Sequence, residues 1–242
     1  MSKPSRGDVL PAANFRKETT VFRSLCVSRF TQVAAIAAIA AMTALAAPQA
    51  SAQAPIKPDV NVEALMKTGE LPDMVLGNKD APYTIVEYSS MTCPHCANFH
   101  VTVLPEVKKK YIETGIAKYI IREFPFDNVA AAAAMLARCV DETKYFDFVD
   151  LLYKNQDEWA FGGDPLPGLQ KFSKQAGFTE ARFNECLRDE KLLKHVEWVR
   201  NRGHSEFGVR ATPTFFINGK RLDNHAISDF DEILGGAPSG KS

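Results

Sequence analysis

The sequence predicts an α/β protein in which a β-α-β unit and a β-β-α unit are separated by a block of helices. Two runs rich in β-branched and aromatic residues, at 83–90 and 117–124, flank a helical pattern and predict the first unit. Apolar residues then recur at helical spacing over roughly 128–207. Thr214–Ile217, followed by the hairpin-forming pair Asn218-Gly219, predicts the second unit.

The helix between the first two strands is predicted to begin at a cysteine. Pro94 suits the first helical position, where its missing N–H would have no partner, so Cys93 becomes the cap residue. We expect this helix to kink at Pro105 and to run to about Thr114, with Gly115 just past its end. A strand-helix-strand order over this distance predicts a parallel pair of strands.

The remaining elements are predicted from helix-breaking residues and from the spacing of apolar residues. A short helix is expected over 61–67, and one helix is expected over 145–159. The proline-rich stretch 164–168 is predicted to interrupt the helical block. A return strand over 220–222 and a final helix over 226–234 complete the order. This arrangement resembles the thioredoxin fold with a helical insertion.

The first 52 residues have the pattern of a secretory signal. A basic start is followed by an Ala-rich apolar run over 33–47 and by Ala50-Ser51-Ala52, a small-x-small cleavage pattern that places the mature start at Gln53. The alternative is a membrane anchor. The run of 15 residues is shorter than the roughly 20 that cross a bilayer, which favours cleavage. We therefore predict a removed signal at 1–52.

The rest of the chain is divided into three predicted parts. Residues 53–71 form an N-terminal segment, 72–236 form the domain with its insertion at about 128–207, and 237–242 form a loose tail. The whole chain has no formal net charge, and six of its 29 basic and two of its 29 acidic residues lie in 1–52, which leaves about −4. Such a balance predicts no nucleic-acid partner.

The Cys93-Pro94-His95-Cys96 motif is the strongest chemical signal. A thiol at a helix N-terminus faces unpaired N–H groups and the positive end of the helix dipole, which favours the thiolate. We interpret Cys93 as the nucleophile and Cys96, one turn inside, as the resolving thiol. A protonated His95 would lower the pKa of Cys93 further, whereas its plain alternative is a solvated turn residue.

The cysteine pair has three other possible interpretations. Half of a zinc site requires a second close pair of ligands, and haem attachment requires histidine where Ala97 stands. A structural disulfide is the third alternative. The strand-to-helix context favours redox chemistry, and we predict no metal and no cofactor.

Two further positions are candidates for the same site. Thr212-Pro213 precedes a predicted strand and is either a cis bond beside an extended substrate or an ordinary trans proline at a strand start. Glu87 is a lone carboxylate in an apolar strand and is either exposed at an edge or buried behind the cysteines as a proton relay. We favour the buried position because the flanking pattern predicts a strand covered on both faces.

The remaining two cysteines of the predicted mature chain lie on apolar faces of the helical block. Cys139 and Cys186 are either buried free thiols or a structural disulfide, and an oxidising compartment favours the disulfide. The other four histidines have no sequence partner that indicates catalysis, and we expect surface or core roles for them: His100, His195, His204 and His225.

Several motifs together resemble the bacterial DsbA-like thiol:disulfide oxidoreductases. They are Cys93-Pro94-His95-Cys96 after Glu87, then 208–214 with Thr212-Pro213, and then 216–220. The resemblance covers roughly residues 72–236. It implies that Cys93 is the nucleophile, Cys96 the resolving cysteine, Glu87 the buried acid and Pro213 the cis proline.

The resemblance also implies a function. It implies a periplasmic protein that donates its disulfide to reduced secreted proteins and is reoxidised by a membrane quinone-linked partner. Isomerases of this group usually carry an N-terminal oligomerisation segment, and the roughly 30 residues between the predicted signal and the first predicted strand favour a monomer. Thr212 stands where the best-known oxidant has an aliphatic residue, and threonine also occurs there in isomerases. The alternatives are therefore an isomerase or reductase of the same fold or, in another class, a chaperone or binding module with a non-essential cysteine pair.

Overall fold

The computed structural model describes residues 59–222 and 224–235, and within these ranges five strands form one mixed sheet. The strand order is β1-β3-β2-β4-β5. β2 and β3 are parallel, and the other neighbouring pairs are antiparallel. The strands are β1 (Met74–Leu76), β2 (Tyr83–Ser89), β3 (Ala117–Glu123), β4 (Thr214–Ile217) and β5 (Lys220–Arg221).

The helices lie in the parts of the chain where the sequence predicts helical structure. α1 spans Val62–Met66, and four unbroken helical segments between β2 and β3 together form α2: Pro94–Asn98, Phe99–Val103, Leu104–Val107 and Lys108–Ile112. The insertion holds α3 (Asn128–Cys139), α4 (Tyr145–Lys154), α5 (Gln156–Trp159), α6 (Pro165–Gln175), α7 (Glu180–Leu187) and α8 (Glu190–Glu206). A short 3-10 turn, Glu142–Lys144, precedes α4, and α9 (Ile227–Leu234) ends the domain.

This order confirms the predicted β-α-β unit, helical insertion and β-β-α unit. The predicted hairpin is also present, because Asn218 and Gly219 both adopt positive φ, at 46° and 82°, and β4 and β5 pair across them. A turn with two positive φ values matches the right-handed twist of the flanking strands. The predicted signal at 1–52 lies outside the described residues.

The central strand β2 carries the feature that positions the site. Side chains alternate across a strand, so Ile85 and Glu87 face one side of the sheet, and Val86 and Tyr88 face the other. Ile85 packs in the core with Cys96, whereas Val86 and Tyr88 belong to a separate apolar cluster. Glu87 is therefore buried on the face that also holds the second cysteine of the motif.

Three details of the secondary structure differ from the predictions. The helical run is broken over 160–164, but most of the proline-rich stretch is itself helical, because Pro165 is the first residue of α6 and Asp164 caps it, its carboxylate accepting the Leu166 N–H at 3.0 Å. Prolines fit a first helical turn, where the N–H groups have no partner within the helix. The single helix expected over 145–159 is split at Asn155 into α4 and α5. β1 was not predicted, since three residues carry little pattern.

Pro105 lies inside α2, where a kink was expected. The segment directly before it, Phe99–Val103, is π-helical, and Leu104 N–H bonds to Phe99 O, five residues back. A proline removes one helical donor, and a widened turn is a common way for a helix to accommodate it.

The structure contains the Cys139–Cys186 bond. It joins the end of α3 to α7, with Sγ atoms 2.09 Å apart and Cα atoms 6.2 Å apart. Cys186 is buried, and Cys139 is partly buried against the same core. The bond therefore ties two helices of the insertion together, away from the strand-to-helix junction that carries Cys93.

Removing this bond tests its structural role. In a background with Cys93→Ser and Cys96→Ser, we expect the added changes Cys139→Ala and Cys186→Ala to lower the free energy of unfolding by about 2–4 kcal/mol. The reason is that the bond closes a loop of 47 residues and thereby restricts the unfolded chain. Urea unfolding of both proteins without reductant measures the difference, and equal midpoints with equal slopes would contradict it.

Candidate active site

Cys93 occupies the cap position at the start of α2. Its backbone is extended (φ −81°, ψ 119°), and Pro94 follows as the first helical residue. Its N–H donates to Ser90 O at 3.0 Å, and its carbonyl accepts the Ala97 N–H at 3.1 Å. The side chain is partly exposed, and Sγ lies 3.3 Å from the carbonyl oxygen of Thr212.

The surroundings of Cys93 favour its thiolate. A hydrogen bond from the Cys96 thiol is the largest cause that lowers the pKa of Cys93, to about 5. Burial opposes this change, while the Thr212 side chain and the backbone N–H groups of Cys96 and His95 support it. Donors that bond the charged form of a group always stabilise that form.

Cys96 has the opposite character. Its side chain is fully buried, and burial raises the pKa of Cys96 well above its usual value. The negative charges of Glu87 and of the Cys93 thiolate add to this increase. One cysteine is thus accessible and ionised while the other is hidden and protonated, which is the asymmetry that thiol-disulfide exchange requires.

His95 lies on the solvent side of the motif. It is exposed and helps to line a surface cavity of about 480 Å³ together with Thr212, Pro213 and His225. Its backbone N–H is among the donors to the Cys93 sulfur. The predicted effect of the imidazole charge stays a prediction.

The Thr212-Pro213 peptide bond is cis in the structure. The Thr212 hydroxyl is buried and has no hydrogen-bond partner among the described residues, and the Thr212 side chain is among the groups that lower the pKa of Cys93. A hydroxyl without a partner beside a sulfur that ionises is free to donate to the thiolate. The two residues expected to meet a substrate therefore lie directly against the proposed nucleophile.

Glu87 is fully buried and surrounded by polar groups. Its Oε1 accepts the Ser89 hydroxyl at 2.6 Å, and its Oε2 accepts the Tyr119 hydroxyl. His100 Nε2 lies 3.1 Å from the same Oε2. Ser89 also lies 2.7 Å from the Tyr153 hydroxyl. The position inside the fold matches the preferred prediction of a buried carboxylate.

His100 belongs to this cluster, although it was given no catalytic role. Its second ring nitrogen, Nδ1, lies 3.4 Å from Asp150 Oδ1 on α4, and Lys108 Nζ donates to Asp150 Oδ2 at 2.7 Å. Burial disfavours the charged ring, but the carboxylates of Glu87 and Asp150 outweigh it and raise the pKa of His100. The spacing of four residues between Cys96 and His100 was the available signal, because it places both on one helix face.

Gln156 on α5 is a second residue that sequence reasoning missed. Its side-chain N–H₂ donates to Met91 O at 2.8 Å and to Cys93 O at 3.1 Å, and the residue is buried. The insertion thereby holds the backbone that leads into α2. No pattern in the sequence connects residue 156 with residues 91 and 93.

Over 59–222 and 224–235, no group of three or more His, Cys, Asp or Glu side chains is arranged to hold a metal ion. In the same ranges, no helix has both the length and the apolar character needed to cross a membrane.

Comparison with known proteins places this geometry in a class. The family model described as thioredoxin matches residues 70–235. The crystal structure of Wolbachia pipientis alpha-DsbA1 superimposes with a TM-score of 0.66 at 29% identity, covering 72% of this chain and 94% of that one. The fold is therefore that of thioredoxin with the DsbA-like helical insertion.

Relatives with similar sequences identify the family within this fold. A relative from Rickettsia bellii, named as a protein-disulfide oxidoreductase, is 34% identical over 188 residues, which are 77% of this chain and 73% of that protein. Disulfide bond formation protein D of Bacillus subtilis is 30% identical over 66% of this chain and 72% of its own length. In four other Rickettsia relatives the match spans 56–60% of their length. The chain belongs to the DsbA-like protein-disulfide oxidoreductases.

The pKa of Cys93 predicts how the reduced protein reacts with an alkylating reagent. We expect the rate of iodoacetamide labelling to follow the thiolate fraction of Cys93, with a midpoint near pH 5. Cys96 should stay unlabelled in the folded protein because it is buried. Peptide mass spectrometry after timed quenching gives both rates, and the variant Cys93→Ser is the control. A midpoint above pH 8, or equal labelling of both thiols, would contradict the assignment.

Proposed function

We propose that this protein is a periplasmic oxidant that donates a Cys93–Cys96 disulfide to reduced secreted proteins. The observation that carries the proposal is the pairing of a partly exposed thiol whose pKa is about 5 with a buried thiol whose pKa is raised. The names of its relatives support disulfide chemistry in general. The direction of electron flow is inferred from the site.

The exchange proceeds in two displacements. A substrate thiolate attacks Cys93 Sγ, a new substrate–Cys93 bond forms, and the electron pair of the broken bond passes to Cys96. A second substrate thiolate then attacks the substrate sulfur that is bound to Cys93, and Cys93 leaves as a thiolate. The substrate is oxidised by two electrons and the enzyme is reduced by two, and thiols of low pKa leave fastest.

The direction of exchange depends on which redox form of the enzyme carries the Cys93 thiolate. Only the reduced enzyme has an ionised Cys93, so the donors around that sulfur stabilise the reduced form and have no counterpart in the disulfide. Stabilising the reduced form raises the reduction potential. The pair therefore tends to give its disulfide away.

Substrate contact is assigned to the surface beside Cys93. Thr212 and Pro213 line the 480 Å³ cavity with His95, and a peptide in extended conformation can use the backbone groups of Thr212. We further propose a removed signal at 1–52, the domain over 72–236, a monomeric state, and reoxidation by a membrane quinone-linked protein.

One observation favours a second candidate within the same chemistry. The residue before the cis proline is Thr212, and the family resemblance implies that threonine at this position also occurs in isomerases. An isomerase or a reductase of this fold is therefore the alternative, and the relative stability of the two redox forms distinguishes it from the oxidant.

The redox forms should differ in stability in a way that depends on pH. We expect the reduced protein to melt at a higher temperature than the oxidised protein at pH 7. A thiol whose pKa is lowered on folding adds stability at higher pH, and that stability is lost as the pH falls through about 5. Above about pH 8.5 the raised pKa of Cys96 works in the opposite direction, since the unfolded thiol ionises first.

Thermal unfolding of both forms from pH 4 to pH 9 measures this difference, with Cys139–Cys186 kept intact. The gap between the two melting temperatures should be widest near pH 7–8 and should close below pH 5. If the oxidised form melts at the higher temperature throughout, the oxidant proposal is wrong and the reductase or isomerase takes its place.

Disulfide donation can be observed directly. Oxidised protein mixed with a reduced, unfolded model protein should form substrate disulfides with loss of one enzyme disulfide per disulfide made. Cys93→Ser and Cys96→Ser should each abolish transfer, because neither variant can form the Cys93–Cys96 disulfide that oxidises the substrate. Non-reducing gels and mass spectrometry detect each species. Full activity of Cys93→Ser would instead support a chaperone or binding role.

A further inference from the structure

The row of polar groups that leads away from Glu87 is not used by the exchange as described. It runs from Glu87 through His100 to Asp150 and ends at Lys108. Burying such a row is costly unless it is paired, and it joins three elements that are distant in sequence: β2, α2 and α4. Nothing in the two displacements above requires the outer half of it.

The exchange does leave one problem in the interior. When the enzyme disulfide opens, Cys96 departs as a thiolate in a site where its side chain has no exposure, and such a charge is strongly disfavoured. Glu87, the nearby acid, is equally buried. A proton consumed there has to come from water, and neither group touches water.

The distances describe a connected path. Asp150 has 19% of its side chain exposed and Lys108 has 25%, so this end of the row meets solvent. Inward, Asp150 Oδ1 lies 3.4 Å from His100 Nδ1, and His100 Nε2 lies 3.1 Å from Glu87 Oε2. The His100 side chain itself is 1% exposed. An imidazole that contacts a different carboxylate at each nitrogen can take up a proton on one side and release it on the other.

The inner end of the path reaches the sulfur through a hydroxyl. Ser89 donates to Glu87 Oε1 at 2.6 Å, and the Ser89 side chain is among the groups that lower the pKa of Cys96. Ser89 can therefore pass a proton from Glu87 to Cys96 by giving its own and accepting another.

We propose that His100 and Asp150 form a proton conduit between solvent and the buried pair Glu87 and Cys96. This inference rests on the proposed exchange function and assigns to it a route for the proton. His100 and Asp150 act through Glu87 and do not touch the reacting sulfurs, so they are relay residues and not catalytic ones.

The proton balance is as follows. The imidazolium of His100 passes a proton to the Glu87 carboxylate and becomes neutral. Glu87 passes a proton through Ser89 to the Cys96 thiolate and is a carboxylate again, and Asp150 delivers one proton from water to restore the imidazolium. One thiolate and one proton from solvent therefore give one thiol, and every relay group ends as it began. Reoxidation of the enzyme runs the same path outward.

The charges around His100 fit this role. Glu87 and Asp150 face its two nitrogens, and the Tyr153 and Tyr119 rings lie 4.2 and 6.4 Å from its ring. Lys108 supplies the positive charge at the outer end of the row and contacts Asp150. The imidazole of His100 therefore lies between the carboxyl groups of Glu87 and Asp150. Such a setting favours the protonated ring and gives its proton an acceptor at either nitrogen.

The test is the rate at which a small dithiol opens the Cys93–Cys96 disulfide in a single turnover. Oxidised protein is mixed with dithiothreitol from pH 5 to pH 9, quenched with acid, alkylated and analysed by mass spectrometry of the peptide that holds both cysteines. Ionisation of the dithiol is common to all variants, so the ratio of variant to wild-type rate isolates protein groups.

Three variants test the separate groups of the proton path. His100→Gln and Asp150→Asn keep hydrogen-bonding atoms but cannot carry a proton, and we expect each to slow opening at least tenfold near pH 7, within the range that proton transfer contributes. His100→Ala removes the ring, and we expect added imidazole to restore at least half of the lost rate. His195→Gln is the matched control, because His195 pairs with Glu70 at 2.8 Å outside this row, and it should leave the rate unchanged.

The outcomes separate the conduit from structural effects. A pH-dependent loss with imidazole rescue supports it. Unchanged rates, or a uniform loss at every pH without rescue, overturn it and leave His100 a packing residue. If the His100 variants do not fold, Asp150→Asn at the partly exposed end decides by the same criteria. Failure of wild-type protein to donate disulfides would reject the proposed function, whereas this dithiol assay would still report on the conduit.

Discussion

The rest of the site depends on the unequal environments of two sulfurs one helical turn apart. Pro94 starts α2, which leaves Cys93 at the cap among backbone N–H groups and turns Cys96 into the core. The first sulfur is thereby stabilised as a thiolate, and the second is held as a thiol. Reactivity, direction of exchange and the need for an internal proton all follow from this difference.

The central strand supplies the second constraint. β2 lies between β3 and β4, its residues from Ile85 to Ser89 are buried, and the alternation of the strand puts Glu87 on the face of Cys96. A carboxylate in that position requires partners, and Ser89, His100 and Tyr119 provide them. Function and stability therefore draw on the same polar cluster.

The helical insertion completes the site from the other side. Gln156 on α5 binds the backbone at Met91 and Cys93, and Asp150 on α4 extends the polar cluster toward solvent. The Cys139–Cys186 bond ties helices within the same insertion. The insertion therefore has two roles in the site. It supplies groups that hold the backbone of the Cys93–Cys96 motif and groups that connect the buried polar cluster with solvent.

The sequence by itself determined the order of elements, the cap position of Cys93 and the hairpin at Asn218-Gly219, because these depend on local spacing and on residues with special backbone preferences. It did not reveal that Pro165 starts a helix or that three residues form β1. Local preferences are weak at both places, and contacts with neighbouring elements decide the secondary structure there. Only the tertiary structure brought His100 and Asp150 together, and only it placed Gln156 against the motif. Those contacts join elements up to 65 residues apart, and their geometry arises from packing, which no local pattern encodes.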